Sequence, residues 1–294
     1  MNLKKIIRVS VLLVSLFGAL TAQAAPRSCY RGELQNLKPG GSTDVAIVVD
    51  ETTERARATA ERDFRAAVSS LTDRAVNISL LAYAGHAPGQ SLRLIGQWQI
   101  EPQLVDNVLQ DVVISEAQQL QACLRVQKSA TKKGLDQALD TLFTSMPIDA
   151  ARSEITYALR TVLHDFVMPE RATLILHYSD ALQHSKGVGG RSFYAADKQP
   201  RQINPALELT AMARETAAAR ADKPPHSYVS LLWWGTLLMP QNQVRPQKVA
   251  YLDSATIEAY RSFWTGYLQA VGVDKVQIGT PSVFNPDLRL PALP

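Results

Sequence analysis

Three polar side chains follow the first strongly apolar stretch of the sequence at alternate positions. The β-branched run 45–49 leads directly into Asp50, and Thr52 and Glu54 come next with one residue between each pair. A continuous apolar run of this kind is typical of a strand that is buried on both faces of a parallel sheet. Ligands of such sheets bind where the carboxyl end of a strand meets the following helix. The pattern therefore places carboxylate and hydroxyl oxygens at the mouth of a sheet.

These side chains must be held by elements that the periodicity of the sequence predicts. Short apolar runs predict strands, and apolar residues at three- and four-residue spacing predict amphipathic helices. The predicted strands are 45–50, 76–84, 92–100, 172–178, 227–235 and 276–278, and the predicted helices are 53–71, 102–145 with a polar break at 128–134, 153–166, 205–220 and 254–270. This alternation indicates an α/β fold with an open, mainly parallel, doubly wound sheet that has helices on both faces. The weakly alternating run 92–100 is predicted to be an antiparallel edge strand.

Three separate pieces of the sequence resemble a known family and occur in that family's order. They are Asp50-x-Thr52-x-Glu54, the helix start Ser153-x-Ile155-x-x-Ala158-Leu159, and the strand end Ser179-Asp180-Ala181. They are similar to the loop, the helix start and the aspartate turn that form the metal-ion-dependent adhesion site of von Willebrand factor type A domains. The resemblance covers roughly residues 43–272 and implies the Rossmann-like α/β fold of that family.

The resemblance also implies a set of ligands for a divalent cation. At the family's ligand positions this chain has Asp50, Thr52, Glu54, Ser153 and Asp180. Ligation by oxygen alone suits a hard ion such as Mg²⁺, with Mn²⁺ and Ca²⁺ as alternatives. In the family, an open coordination position accepts a carboxylate from a partner protein. The resemblance therefore predicts a protein-binding module, with a cation at the carboxyl-terminal end of the sheet.

The ligand set departs from the family's pattern at three positions. Thr52 replaces the first serine, Glu54 replaces the second, and Ser153 replaces a threonine. Two of these changes keep a hydroxyl, whereas Glu54 adds charge and length and would make a bound ion less electrophilic. The alternative is a degenerate site, in which Thr52 or Thr53 caps the first helix and Glu54 favours its amino-terminal dipole. Ser153 has the same purely structural explanation, as an N-cap of its helix.

The amino-terminal residues have the pattern of a secretory leader. Basic residues precede the apolar run 9–20, and the motif A-Q-A at 22–24 offers a cleavage site after Ala24. Residues 1–24 are therefore predicted to be a signal peptide, and the mature protein is predicted to be periplasmic or secreted. Residues 26–28 do not form a lipobox before Cys29. Because no later apolar stretch approaches the roughly 20 residues that cross a bilayer, no stable membrane insertion is expected after cleavage.

The chain has two cysteines, Cys29 and Cys123, and both follow the predicted cleavage site. In an oxidising compartment such a pair is expected to form a disulfide, which here would join an amino-terminal arm, residues 25–42, to the middle of the chain. Two free thiols are the alternative.

The charge of the chain gives no indication of nucleic-acid binding. The formal net charge is +4, of which the leader contributes three, so the mature chain is near 4 − 3 = +1. Its basic residues are scattered and form no stripe with interleaved aromatic residues. No nucleic-acid partner is therefore expected.

No catalytic motif is found in the sequence. The chain has no Gly-x-Ser-x-Gly elbow, no phosphate-binding glycine loop and no His-Glu-x-x-His helix. His177 and His184 flank Asp180 and together offer the ligand types of a zinc site. However, His177 lies inside an apolar strand, which is typical of a core histidine. We therefore expect a protein that is not an enzyme, with a periplasmic hydrolase or small-ligand-binding protein as the alternative.

The flanking segments complete the predicted organisation. The loop 182–204 is rich in Gly, Ser, Lys and Gln and has no apolar period, which is typical of a functional or mobile loop. Residues 273–294 are predicted to be an irregular, proline-rich tail. The function predicted for the whole chain is a secreted or periplasmic protein-binding module. Its partner would be another envelope protein, in an assembly of the secretion, pilus or conjugation type.

Overall fold

The computed structural model describes most of the chain after the predicted leader. The described residues are 28–40, 43–52, 58–84, 92–104, 108, 112–145, 153–184, 191–194, 200–224, 227–235 and 254–279. The predicted signal peptide 1–24, the predicted ligand Glu54 and residues 280–294 of the predicted tail lie outside them.

The described strands form a single mixed sheet. They are β1 (Thr43–Asp50), β2 (Val76–Tyr83), β3 (Leu92–Ile100), β4 (Ala172–Tyr178), β5 (Tyr228–Trp234) and β6 (Lys275–Ile278). Their order across the sheet is β3-β2-β1-β4-β5-β6, with β3 antiparallel to β2 and the other pairs parallel. This is the order of a doubly wound α/β sheet. The predicted fold class and the antiparallel edge strand are confirmed, and β6 extends the sheet past the predicted domain boundary at 272.

The described helices cover both faces of this sheet. They are α1 (Ala58–Leu71), α2 (Ile114–Ser145), α3 (Ile155–Asp165), α4 (Pro205–Ala211), α5 (Ala213–Asp222) and α6 (Ser254–Ala270). The predicted helix 205–220 is divided at Met212 into α4 and α5. Five of the helices thus lie close to their predicted places, whereas α2 differs in an informative way.

Helix α2 runs without interruption through 128–134, where the sequence predicted a polar break. Two of its polar side chains are buried and bind the end of β3, which the helix covers. Gln127 accepts a hydrogen bond from the amide of Glu101, and Thr131 donates one to the carbonyl of Gln99. The remaining polar residues of the segment, Lys128 among them, form its solvent-exposed face. The prediction of a break was wrong because the polar residues are distributed around a helix and do not interrupt it.

Each face of the sheet buries its own apolar cluster. Phe64 of α1 and Phe143 of α2 lie on one face, together with Trp234. On the other face Trp264 of α6 packs against Trp233, with the two ring centroids 5.0 Å apart. Successive side chains of a strand point to opposite faces. The two adjacent tryptophans at the end of β5 therefore lie on opposite faces.

The amino-terminal arm is fixed at the amino end of the sheet by a disulfide. Cys29 and Cys123 are bonded, with their Cα atoms 5.7 Å apart, so the predicted pairing is confirmed. The buried carboxylate of Glu101 accepts hydrogen bonds from Ser28, from the amide of Cys29 and from Lys38. Burial would raise the pKa of Glu101, but the hydrogen bonds from Lys38, Ser28 and Cys29 hold it below its ordinary value. The arm is therefore anchored both covalently and by a charged hydrogen-bonded centre.

Within the described ranges, no helix is both long enough and apolar enough to span a membrane.

Candidate functional site

The candidate site lies at the carboxyl-terminal edge of the sheet, where β1 and β4 end beside β2. Asp50 is the last residue of β1 and is paired in register with Tyr83, the last residue of β2. Ser179 follows β4 directly. Because neighbouring strands are parallel here, side chains at matching positions point to the same face. The edge thus brings a carboxylate, a phenol and a hydroxyl into one row.

Asp50 is the centre of a closed hydrogen-bonded group, which we call the Asp50 cluster: Asp50, Thr52, Ser153 and Ser179. The amide and the hydroxyl of Thr52 both donate to Oδ1, at 2.9 and 2.6 Å. The hydroxyls of Ser153 and Ser179 both donate to Oδ2, at 2.7 and 2.8 Å. Asp50 itself is 0% exposed. One carboxylate therefore joins the end of β1, the segment before α3 and the turn after β4.

Asp180 forms its own tight turn next to this cluster. Its Oδ1 accepts the amide hydrogen of Leu182 at 2.8 Å, and its Oδ2 accepts the hydroxyl of Tyr194 at 3.4 Å. Ala181, between Asp180 and Leu182, has a φ of +67°, a left-handed conformation that is uncommon for a residue with a side chain. Asp180 is 6% exposed, so this carboxylate is also nearly buried.

The buried row continues beneath Asp50 through Tyr83 and His177. The Tyr83 hydroxyl lies 2.9 Å from Nε2 of His177, and both residues are fully buried. Burial, followed by the charge of Asp50, raises the pKa of Tyr83 well above its ordinary value. Burial lowers the pKa of His177 to about 3, which keeps its ring neutral at ordinary pH. The expectation that His177 is a core histidine agrees with this placement.

Burial also affects Asp50, whose pKa is raised by its removal from water. The hydrogen bonds from Thr52, Ser153 and Ser179 act in the opposite direction, because they stabilise the charged carboxylate. All of the contacts just described are donors that point at carboxylate oxygens, which is the arrangement that suits the ionised form.

The described parts of the loop 182–204 pack against the domain. We call residues 191–194 the strap. Phe193 of the strap is 1% exposed and meets Phe263 edge to face, with ring centroids 5.0 Å apart. The hydroxyl of Tyr260 donates to the carbonyls of Phe193 and Arg201. Glu208 of α4 pairs with Arg191 and Arg201. The strap is thus a fixed part of the fold that covers the Asp180 turn.

The start of α3 differs from the sequence prediction. Ser153 does not cap the helix, because its hydroxyl donates to Asp50, and the helix itself begins at Ile155. The buried first-turn amide of Thr156 donates to the side-chain oxygen of Gln183, at 3.0 Å. Gln183 lies 27 residues along the chain, so no local pattern could have identified it as the cap.

The structure brings together three of the predicted ligands and places a fourth beside them. Thr52 and Ser153 both donate hydrogen bonds to Asp50, and Asp180 lies in the adjacent turn. Ser179 is a residue that the predicted set missed. Its signal in the sequence was its place directly after the strand 172–178, and the register that pairs Val49 with Tyr178 puts it beside Asp50.

The oxygens of this edge have the chemistry of a hard cation's ligands, but the described residues do not form a cluster of ionisable ligands. Among them, no group of three or more His, Cys, Asp and Glu side chains is placed to hold a metal ion. The two histidines of the zinc alternative have different partners. His177 contacts Tyr83, whereas Nδ1 of His184 contacts the hydroxyl of Ser192 at 2.8 Å.

A cavity of about 830 Å³ lies apart from the Asp50 cluster, between α6 and β6. Its walls include Arg261 and Gln269 of α6, Val276 and Ile278 of β6, and Leu209 of α4. Its volume is in the range of small-ligand sites, and its walls are polar and apolar in about equal measure. None of its lining residues belongs to the Asp50 cluster.

Comparison with known proteins gives only distant structural matches. The proximal thread matrix protein 1 of the mussel byssus matches with a TM-score of 0.32 and 8% identity, over 67% of this chain and 38% of that chain. A second structure of that protein, with a zinc-occupied metal-ion-dependent adhesion site motif, gives 0.33 and 8%, over 67% and 39%. The human COPII-coat protein Sec24c gives 0.36 and 11%, over 86% of this chain and 31% of that chain.

These matches span less than half the length of the proteins concerned, and their scores carry no argument about what this chain binds. No protein-family model and no curated protein matches the sequence. The assignment of the fold therefore rests on the observed sheet order and strand directions: the chain is an open, mainly parallel α/β protein with one antiparallel edge strand.

Proposed function

We propose that this chain is a protein-binding module whose partner docks on the carboxyl-terminal edge of the sheet. The proposal is supported above all by the four hydrogen bonds that Asp50 accepts from Thr52, Ser153 and Ser179. They hold three chain segments in fixed relative positions. A surface that is already ordered costs less entropy to bind, which favours specific recognition.

The hydrogen bonds of Ser153 and Ser179 favour protein recognition over catalysis at this edge. A nucleophilic serine needs a base that accepts its proton, and the base is in turn oriented by a third group. Here Ser153 and Ser179 both donate to the same carboxylate, while the nearest described histidine in the strand, His177, contacts Tyr83. A hydrolase or a small-ligand receptor remains the alternative proposal.

The proposed compartment is the periplasm or the cell exterior. The disulfide between Cys29 and Cys123 suits an oxidising compartment, and the leader pattern of residues 1–24 suits export. We propose that the partner is another envelope protein, in an assembly of the secretion, pilus or conjugation type. Genes encoded next to this one would be the most direct guide to that assembly.

The proposal is tested by site-specific photo-crosslinking in the cells that produce the protein. Tyr157 lies in the first turn of α3, at the carboxyl-terminal edge, and is 39% exposed. Its matched control is Tyr228, which is partly exposed at the start of β5 and therefore at the opposite edge. Each tyrosine is replaced in turn by a photoreactive phenylalanine analogue.

A discrete crosslinked product from position 157, and none from position 228, is the expected result. Products from position 228 alone, or from neither position, would contradict docking at this edge. The alternative function predicts a different observation, namely turnover of a small substrate that is lost in Ser153→Ala.

A further inference from the structure

We propose that the Asp50 cluster is a structural lock that holds the fold together without a metal ion. In this cluster, N–H and O–H donors of the protein bind the carboxylate oxygens that would otherwise bind an ion or its waters. The resemblance to type A domains implies a cation here. The geometry of the described residues argues for a different use of the same residue types, as the following contacts indicate.

A divalent ion such as Mg²⁺ needs carboxylate oxygens whose lone pairs face the ion or its bound waters. An ionised carboxylate offers about four lone-pair positions. On Asp50 the amide and hydroxyl of Thr52 use two of these on Oδ1, and Ser153 and Ser179 use two on Oδ2. The distances, from 2.6 to 2.9 Å, are those of fully formed hydrogen bonds. This carboxylate is therefore saturated by protein donors.

The second carboxylate of the edge accepts two protein donors, one close and one at 3.4 Å. Oδ1 of Asp180 accepts the amide of Leu182, which closes its turn, and Oδ2 accepts the hydroxyl of Tyr194 from the strap. An ion bound to Oδ2 of Asp180 on the side that Tyr194 contacts would displace the Tyr194 hydroxyl. Tyr194 adjoins Phe193, whose ring is buried in the core, so moving the strap would expose that ring.

The hydroxyl oxygens do not supply a replacement. Ser179 donates to Asp50 and also accepts the amide of Ala181 at 3.2 Å, so its oxygen is used on both sides. Thr52 and Ser153 keep lone pairs, but neutral hydroxyls alone do not compensate for the hydration that a divalent ion loses on burial. The cluster is therefore complete as a hydrogen-bonded unit of protein atoms.

The lock is tested by thermal unfolding of the mature protein in EDTA and in millimolar Mg²⁺ or Mn²⁺. The expected midpoint is the same in all three solutions, within about 1 °C. A folded-state ion would instead raise the midpoint by about 5–10 °C at a hundredfold excess over its dissociation constant. A rise of that size that disappears in Ser179→Ala would overturn the proposal.

Single-hydroxyl variants test the structural half of the proposal. Ser179→Ala removes one donor to a buried carboxylate and is expected to lower the midpoint by about 3–10 °C, equally with and without metal. The matched control is Thr141→Ala, since the Thr141 hydroxyl donates to the carbonyl of Gln137 on an exposed helix face. Equal midpoints for the two variants would show that the cluster does not stabilise the fold. Asp50→Asn keeps the shape of the side chain but alters the acceptor of all four hydrogen bonds. It should therefore lower the midpoint more than Ser179→Ala does.

These outcomes are separate from those of the crosslinking experiment. Crosslinking at Tyr157 reports whether a partner docks at the edge, whereas the unfolding midpoints report whether the edge needs an ion. Either proposal can therefore fail while the other holds.

Discussion

Gly134 of α2 lies against the indole of Trp98 on β3, so closely that a methyl group on Gly134 would come within 2.7 Å of Nε1. A methyl group added to Gly96, two residues before Trp98, would likewise come within 2.6 Å of the six-membered part of the same indole. The indole is 8% exposed and fills the space between the helix and the edge strand. The last residue of the predicted polar break is therefore the residue that lets the helix approach the sheet.

Replacing Gly134 by alanine tests this contact. Alanine favours a helix over glycine by about 1 kcal/mol, but overpacking a core typically costs about 1–3 kcal/mol. We expect Gly134→Ala to lower the free energy of unfolding by up to about 2 kcal/mol in urea titrations. The control is Ser129→Ala on the exposed face of the same helix, which should be neutral or slightly stabilising. A more stable Gly134→Ala variant would show that the helix has room to shift.

Phe193→Ala tests whether the strap is a fixed part of the core. The ring lies among Tyr260, Phe263 and Trp264, and its removal leaves a cavity. We expect a loss of about 3–5 kcal/mol in the free energy of unfolding. Leu207→Ala, at a side chain that is 68% exposed, should change stability by less than about 0.5 kcal/mol. A loss at Phe193 as small as the loss at Leu207 would mean that the strap is detached in solution.

Reduction of the Cys29–Cys123 disulfide should destabilise the protein measurably. The bond joins residues 94 positions apart, and closing a loop of that length is associated with about 2–5 kcal/mol. Urea titrations with and without dithiothreitol measure the difference. A double variant, Cys29→Ser with Cys123→Ser, should match the reduced protein and show no response to the reductant. Identical curves for oxidised and reduced wild type would mean that Glu101 alone anchors the arm.

His177 predicts a loss of stability in mild acid. Its pKa is lowered to about 3 by burial, against an ordinary value of 6.5, so the unfolded chain binds a proton that the folded chain does not. Stability is therefore fully present above pH 6.5 and is lost as the pH falls towards about 3, by up to about 1.4 kcal/mol per pH unit.

Urea titrations at pH 7, 6 and 5 measure this slope. His177→Gln should be less stable at pH 7, but its stability should depend less on pH between 6.5 and 5. The control is His164→Gln. The exposed His164 has its pKa raised by Asp165, so its removal should not flatten the slope. An unchanged slope in His177→Gln would show that another buried group takes up the proton.

The parts of the fold that the sequence could predict are those with a local pattern. The strands 45–50 and 172–178 are continuous apolar runs because both of their faces are covered. This pattern can be recognised in the sequence without knowing which elements cover them. The order of apolar runs and periodic segments then indicated the doubly wound sheet. The position of Asp50 at the mouth of the sheet follows from the end of its strand alone.

The parts that the sequence could not predict depend on residues that are distant in the chain. The cap of α3 by Gln183 and the burial of Phe193 within a polar loop both arise from tertiary contacts. Similarly, nothing local distinguishes a glycine that ends a helix from one that makes room for Trp98. The bond from Ser153 to Asp50 has the same origin, since a hydroxyl before a helix can cap that helix or donate to a residue that is distant in the chain.

The disulfide has a consequence for cleavage of the chain. Because the sequence contains only two cysteines, oxidation within one chain has a single product, and no sorting of alternative pairings is needed. The bond encloses β1, α1, β2, β3 and the first part of α2. A protease that cuts once anywhere between residues 29 and 123 therefore leaves both fragments covalently joined, and they would separate on a gel only after reduction.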